Sequence, residues 1–151
     1  ALKTYLKKGY SPEWVNQRLK SIEIRKNLTD EWEKRGVKEG IEFAILTDEI
    51  TEAWAGLTTK QYKNLKGLKK ENLRDNMTNL ELVLNMLAET ATTEISEKRE
   101  PNGFGQSKKI AREGGAIAGN ARKQIESKTG KRAISNYNFK SAQEQKKLKG
   151  K

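Results

Sequence analysis

The strongest helical signal in this chain begins at Thr78 and extends to about residue 97. Thr78 can cap a helix with its hydroxyl, and Glu81, three residues later, can accept a hydrogen bond from the cap's own N–H. Apolar residues then recur at steps of three and four, which is the period of one helix face. They are Leu80, Leu84, Leu87, Ala91 and Ile95, with Leu82, Val83 and Met86 widening the stripe. A stripe this wide predicts a central, buried helix over residues 78–97 that other helices cover.

Three polar residues of this helix, Glu81, Asn85 and Glu89, are spaced by four residues and share one line along its surface. Two interpretations are open. The line is a functional edge, or it is the strip of the helix that faces water. The solvated strip is the preferred interpretation.

A chain of 151 residues is long enough to bury one core, so we expect one helical domain over residues 1–130. The sequence contains no Cys and no His, which excludes disulfides, thiolate or imidazole metal sites and a histidine base. We therefore expect no cofactor and no metal. The longest apolar run, residues 43–46, is far shorter than the roughly 20 residues of a membrane-spanning helix, and the N-terminus has no signal-peptide pattern. These features predict a cytoplasmic protein without membrane contact.

The net charge of +11 is concentrated at one end of the chain. Residues 1–100 carry 18 basic and 17 acidic groups, whereas residues 101–151 carry 13 basic and 3 acidic groups. A basic block of this kind attracts polyanions, and nucleic acid is the usual one. Residues 131–151 have few apolar anchors and are expected to form a basic, flexible tail, disordered from residue 140.

Helix starts divide the first half of the chain. Ser11 followed by Pro12 and Glu13 is a strong start, and Thr29 offers a second cap, so this region is one bent helix or two. Residues 37–46 contain the only strand-like alternation, but one strand cannot form a sheet alone. We interpret them as a buried connector or a short helix.

Residues 48–66 have the outline of a helix-turn-helix. Thr47 with the two acids after it predicts a helix that ends at Gly56, and Thr58 with Gln61 forms a capping box for the next one. The second helix is either a recognition helix or an ordinary solvated helix. Its outward residues are types that contact phosphates and bases. The basic candidates here and just beyond are Lys60, Lys63, Lys66, Lys69 and Lys70.

An enzymatic interpretation rests on Asp48, Glu49 and Glu52, three carboxylates that could hold Mg²⁺ as in a nuclease. The helix dipole explains acids in a capped first turn more simply. We therefore expect a protein that is not an enzyme.

Residues 106–127 read as a further helix, with Ile110, Ile117, Ala121 and Ile125 on its apolar side. Its opposite face should carry Lys108, Arg112, Gly115, Gly119, Arg122 and Lys123. Each glycine costs about 1 kcal/mol relative to alanine in a helix interior. Bare backbone among cations would let a phosphate chain or another helix approach closely; the alternative is that the helix breaks at residues 114–115.

Several short motifs carry a family resemblance. The specific part is Gly67-Leu68-Lys69-Lys70, Asp75, Met77, Glu81-Leu82 and Asn85, and the weaker part is residues 25–28, 36–37, 43–45 and 56–57. Together they resemble the C-terminal half of the DNA-damage-inducible protein D family, which is also seen among phage antirepressor-like proteins. The resemblance covers about residues 15–130. It does not include the N-terminal BRO-type domain, thought to bind DNA, that usually precedes this half.

The resemblance implies a DNA-damage-response or phage regulatory setting and supplies no catalytic residue. The first functional hypothesis is a regulatory module that contacts nucleic acid, DNA in the first place, through its basic helices. The alternative is a protein-docking regulator without direct DNA binding, an antirepressor or a modulator of a recombinase filament, whose partner is a recombinase or a repressor.

Overall fold

The computed structural model describes residues 1–149 and contains seven α-helices, one 3₁₀ helix and no strand in that range. This architecture confirms the predicted all-α fold class. None of these helices has the length and apolar character needed to cross a membrane. The helices are α1 (Leu2–Lys8), α2 (Pro12–Lys34), α3 (Ile41–Ala55), α4 (Thr59–Leu65), the 3₁₀ helix (Arg74–Asn76), α5 (Asn79–Arg99), α6 (Gly103–Thr129) and α7 (Phe139–Lys149).

Helix α5 is the central helix that the periodicity predicted. Its capping box is present: the Thr78 hydroxyl accepts from Glu81 N at 3.2 Å, and Glu81 Oε1 accepts from Thr78 N at 2.9 Å. Helix α5 packs against α2, α3 and α6. Hydrogen bonds join the start, middle and end of α2 to successive parts of α5 and its N-terminal flank, so the two helices run parallel.

The faces of α5 differ from the prediction. Leu84 is buried, but Leu87 is 38% exposed, so the apolar stripe is not the buried face throughout. The polar line is buried instead, with Glu81, Asn85 and Glu89 at 0, 3 and 1% exposure. The solvated-strip interpretation is therefore wrong. Its physical reason is that cationic and aromatic side chains from α2, α3 and residues 66–74 bind these three groups and offset the cost of burying them.

Helix α2 starts at the predicted Ser11 cap, whose hydroxyl accepts from Trp14 N, and it continues through Thr29 as one helix. Helix α3 begins earlier than predicted, at Ile41, so residues 41–46 are its first turns and not a strand. The predicted helix start at Thr47 is wrong. Thr47 lies within α3 and its hydroxyl donates to Phe43 O at 2.7 Å, because burial of apolar side chains on both sides of it, including Leu46, favours an uninterrupted helix.

Helix α6 is continuous through Gly114 and Gly115, so it does not break there. Both predicted glycine sites are buried: a Cβ at Gly115 would lie 2.6 Å from Ile50 O, and one at Gly119 would lie 2.5 Å from Ala53 O. Another helix, α3, therefore approaches the bare backbone. Assigning Gly115 and Gly119 to an exposed basic face is wrong, and Ile117 of the predicted apolar side is 46% exposed.

The core extends beyond residue 130. Ala133 and Ile134, in the predicted tail, are 5% exposed and belong to the main apolar cluster, and α7 follows them. The flexibility expected of residues 131–151 stays a prediction, and its last two positions lie outside the described residues.

Candidate nucleic-acid interface

A basic cleft is lined by residues of α2, α3, α4, the segment between α4 and α5, and α5 itself. Its outer part, here the outer cleft, has a volume of about 660 Å³; its polar lining is Arg25, Thr47, Asp48, Thr59, Lys60, Lys63, Asn64 and Lys69. A deeper part, the inner recess, has about 360 Å³; its polar lining is Thr47, Thr51, Thr59, Lys63, Lys70, Glu71, Asn72, Arg74 and Asn85. Six basic and two acidic residues line the two parts together, so the cleft attracts anions.

Four lysines predicted from the sequence meet around this cleft. They are Lys60, Lys63, Lys69 and Lys70. Within residues 1–149, none of their ammonium groups lies within 4.0 Å of a carboxylate. Their charge is therefore available to an anion outside the protein.

Local structure places Lys60 and Lys63 on one side of α4. Gly56 ends α3 in the left-handed conformation, with φ of 76°, and the Thr58–Gln61 capping box starts α4 as predicted. Lys60 lies in the first turn of α4, and Lys63 follows one turn later on the same side. The turn chemistry of the helix-turn-helix outline is thus present, with a short second helix of 7 residues.

Two arginines and one carboxylate form the floor of the cleft. Arg74 binds Glu89 through two parallel hydrogen bonds of 2.9 and 2.8 Å, and Arg25 donates to Glu89 at 2.9 Å and to Thr47 Oγ1 at 2.6 Å. Burial acts to raise the pKa of Glu89, but the guanidinium groups of Arg74 and Arg25 outweigh it and hold that pKa below its usual value. Two cations on one ionised carboxylate leave this floor with a net positive charge.

Asn85 lines the inner recess and carries an unpaired donor. Its side-chain oxygen accepts from Trp54 Nε1 at 3.2 Å. Because an indole nitrogen only donates, the atom beside it must be oxygen, which assigns the amide orientation. Asn85 Nδ2 is buried and has no hydrogen-bond partner within residues 1–149.

Lys66 does not belong to the interface, contrary to the sequence prediction. Its side chain is fully buried and donates to Glu81 Oε1 at 2.8 Å and to Tyr137 O at 2.9 Å. The Tyr62 hydroxyl also donates to Glu81. Burial lowers the pKa of Lys66, while the hydrogen bond to Glu81 opposes that shift. Lys66 therefore joins α5 to the segment before α7 and is not accessible to a nucleic acid.

The predicted cations of α6 are not part of the cleft lining. Arg112 donates to Glu49 at 2.7 Å, and the Lys108 ammonium lies 3.7 Å from the same carboxylate. The hydrogen bond from Arg112 holds the pKa of Glu49 below its usual value. Successive residues of a helix point about 100° apart. Asp48 lines the outer cleft and Glu49 faces α6, so α3 separates the two sets of cations.

The remaining cations predicted on α6 differ in accessibility. Arg122 is half-buried and donates to Trp54 O at 2.7 Å and to Glu126 at 2.8 Å. Its guanidinium group therefore caps a carbonyl in the last turn of α3. Lys123 is exposed. Of the α6 positions proposed from the sequence, Lys123 and Arg112 thus reach solvent most freely.

The carboxylates suggested for Mg²⁺ do not converge. Asp48 accepts from Thr59 N at 3.0 Å, whereas Glu49 binds Arg112 and Lys108 on the other side of α3. Among residues 1–149, no group of three or more Asp and Glu side chains is arranged to hold a metal ion.

A comparison with protein-family models decides the family. The model of the DinD C-terminal domain matches residues 13–149, which extend from the second residue of α2 to the end of α7. The chain belongs to the DinD C-terminal domain family. The match confirms the resemblance to the C-terminal half of DNA-damage-inducible protein D and extends it to residue 149. A comparison with curated proteins gave no match.

Five of the nine residues in the specific part of the DinD resemblance line the basic cleft. Leu68 and Lys69 line its outer part, and Lys70, Met77 and Asn85 line the inner recess. The DinD match thus includes every residue that surrounds the cleft.

Arg25, Thr47 and Thr59 were not predicted as functional candidates from the sequence, and Arg74 and Asn85 were not assigned to a site. These residues come from five separate elements, and only the packing of those elements around α5 brings them together. The one available signal was the polar line on α5, which contains both Asn85 and Glu89.

Proposed function

We propose that this DinD C-terminal domain is a non-enzymatic regulatory module that contacts nucleic acid through its basic cleft, with DNA as the first candidate. The observation that carries the proposal is the set of four cleft lysines without a carboxylate partner among residues 1–149, above a floor of two arginines on one glutamate. Lysines of this kind neutralise phosphates and release counterions, which is the main source of affinity for nucleic acid.

The cleft favours contact with phosphates over reading of bases. Its free cations are lysines, which act as point charges, while both arginines that would read guanine are held by Glu89. Helix α4 is also short, with 7 residues, and offers few positions for contacts along a major groove. We therefore expect binding with little sequence preference.

Fluorescence anisotropy of single- and double-stranded DNA over a salt series tests this proposal. Replacing one cleft lysine, as in Lys63→Gln, should reduce the slope of log affinity against log salt by roughly 1, whatever the base sequence. Lys98→Gln is the matched control, because Lys98 is an exposed lysine at the far end of α5. Equal slopes for both variants and the wild type would argue against the cleft.

Docking on a protein, such as a recombinase or a repressor, is the second candidate function. It is favoured by Ile41 and Ile45 of α3, one turn apart and 79 and 37% exposed, beside Ala44 of the outer cleft. Exposed apolar side chains next to a charged cleft are typical of protein interfaces. Three results together would favour this candidate. The wild type would capture the partner, Ile41→Ser would not, and the wild type would show no DNA affinity at low salt.

A further inference from the structure

The inner recess differs from the rest of the cleft in its supply of hydrogen-bond donors. Asn85 Nδ2 has no partner, and the Thr59 hydroxyl has none among residues 1–149. Arg74 uses its two terminal nitrogens on Glu89, which leaves part of its five N–H groups free. The ammonium groups of Lys63 and Lys70 complete the set.

Acceptors in the recess are mostly occupied. The Thr47 hydroxyl accepts from Arg25, Asn85 Oδ1 accepts from Trp54 Nε1, and Asn72 Oδ1 accepts from Asp75 N. Glu71 is the one carboxylate in the lining, and Lys69 N donates to it. A ligand that is rich in acceptors and carries negative charge therefore matches this recess, and a phosphate group has both properties.

The depth of the recess selects the kind of phosphate. The lining of the recess includes both the exposed Lys70 and Asn85, which is 3% exposed, so a ligand group that reaches Asn85 must leave the solvent-exposed surface. A phosphate within a continuous strand is flanked by sugars on both sides and is held at the surface. The phosphate at the end of a strand has a substituent on one side only and can enter.

We propose, resting on the function above, that the inner recess binds the terminal phosphate of a nucleic-acid strand, with Lys63, Lys70, Arg74, Thr59 and Asn85 as its donors. The outer cleft then holds the adjoining backbone phosphates. A buried donor without a partner is costly, and occupation of the recess relieves that cost directly or through one bridging water. The module is thus a reader of strand ends within the DinD family.

The test compares one single-stranded DNA sequence with a 5′-phosphate, with a 3′-phosphate and with hydroxyl ends. A hydroxyl-ended strand two nucleotides longer is the control for added charge. We expect one phosphorylated strand to bind about tenfold or more tightly than that control, since hydrogen bonds to a charged group amount to one to two powers of ten. Equal affinity of all strands overturns the strand-end proposal and leaves the proposed function standing, whereas no binding of any strand removes both.

Two variants locate the effect. Asn85→Asp keeps the acceptor for Trp54 Nε1 and replaces the donating nitrogen with a carboxylate oxygen that repels a phosphate, so it should abolish the preference for the phosphorylated strand. Thr59→Val keeps the shape of the side chain and should reduce the preference severalfold while the fold is retained, as checked by circular dichroism. If the folded Thr59→Val and Asn85→Asp proteins keep the preference unchanged, the terminal phosphate binds elsewhere, and its assignment to the inner recess is wrong.

Competition separates a strand end from a free phosphate. Inorganic phosphate and a 5′-mononucleotide should displace the phosphorylated strand only at concentrations far above that of the strand itself, because they lack the backbone phosphates that the outer cleft binds. A mononucleotide that competes as well as the strand would show that the ligand is a free nucleotide, and would overturn the strand-end proposal.

Discussion

Replacing Gly119 by alanine tests the packing of α6 directly. The added Cβ would lie 2.5 Å from Ala53 O and 3.3 Å from Trp54 Cα, both of them backbone atoms of α3 that cannot rotate away. Overpacking of this kind costs about 1–3 kcal/mol or more. The higher helix propensity of alanine offsets about 1 kcal/mol of this destabilisation. Since the backbone contact is the severe case, we expect a net loss of about 1–2 kcal/mol in the free energy of unfolding.

Gly105→Ala is the matched control, because Gly105 also lies in α6 and a Cβ there would meet no heavy atom within 4 Å. It should be neutral or stabilise the protein by up to about 1 kcal/mol. Thermal unfolding followed by circular dichroism measures both variants. For a chain of this length, the melting temperatures of the two variants should differ by about 5–10 °C. A Gly119→Ala protein as stable as the wild type would refute close packing of α3 on α6.

Three further predictions concern the buried polar line and the core of α5. Lys66→Met leaves Glu81 without its cation and should cost about 3–5 kcal/mol in urea unfolding, and a double variant with Glu81→Gln should recover part of that loss. The pKa of Glu89 is lower in the folded protein than its unfolded value of about 4.3, so ionised Glu89 stabilises the fold above that pH. This stabilisation is lost as the pH falls through the lower folded pKa. The difference in urea midpoint between pH 7 and pH 3 should therefore be smaller in Glu89→Gln than in the wild type. Leu84→Ala should cost about 2–5 kcal/mol and Leu87→Ala about 1 kcal/mol or less, because Leu87 is 38% exposed.

Each of these three predictions has a contrary outcome. A loss below 1 kcal/mol in Lys66→Met would mean that the Lys66–Glu81 pair is not buried as described. An unchanged pH dependence in Glu89→Gln would assign acid sensitivity to other carboxylates. Equal losses of stability in Leu84→Ala and Leu87→Ala would mean that Leu87 is buried like Leu84, as the periodicity alone predicted.

Helix starts marked by side-chain caps were predictable from the sequence. Ser11, Thr58 and Thr78 each accept from the backbone N–H three residues later, and this bond depends only on neighbours in the chain. Thr47 with two acids after it offers the same local pattern, yet it lies inside α3. There the cap competes with burial of Leu46 and Ile50, and that competition is decided by residues distant in sequence.

The burial of the polar line on α5 was not predictable in the same way. Glu81 and Glu89 look solvated in the sequence because their cations, Lys66 and Arg25, come from other segments. The glycines of α6 gave a partial signal, since their spacing allows a close helix approach, but the sequence does not say whether a helix or a phosphate chain occupies that space. The lysines around the cleft were predictable as a basic helix surface; their convergence with Arg74 and Asn85 was not.

The salt dependence of DNA binding by a fourfold cleft variant tests the proposed nucleic-acid interface most directly. In this variant Lys60, Lys63, Lys69 and Lys70 are all replaced by glutamine. The matched control carries four glutamines in place of exposed lysines that lie elsewhere on the protein. They are Lys38, Lys98, Lys109 and Lys128. Both variants have the same net charge, so any difference between them reports position. We predict that the slope of log affinity against log salt for single-stranded DNA falls by about 3 in the cleft variant and changes much less in the control. Equal slopes in the two variants would contradict a specific nucleic-acid interface in the cleft.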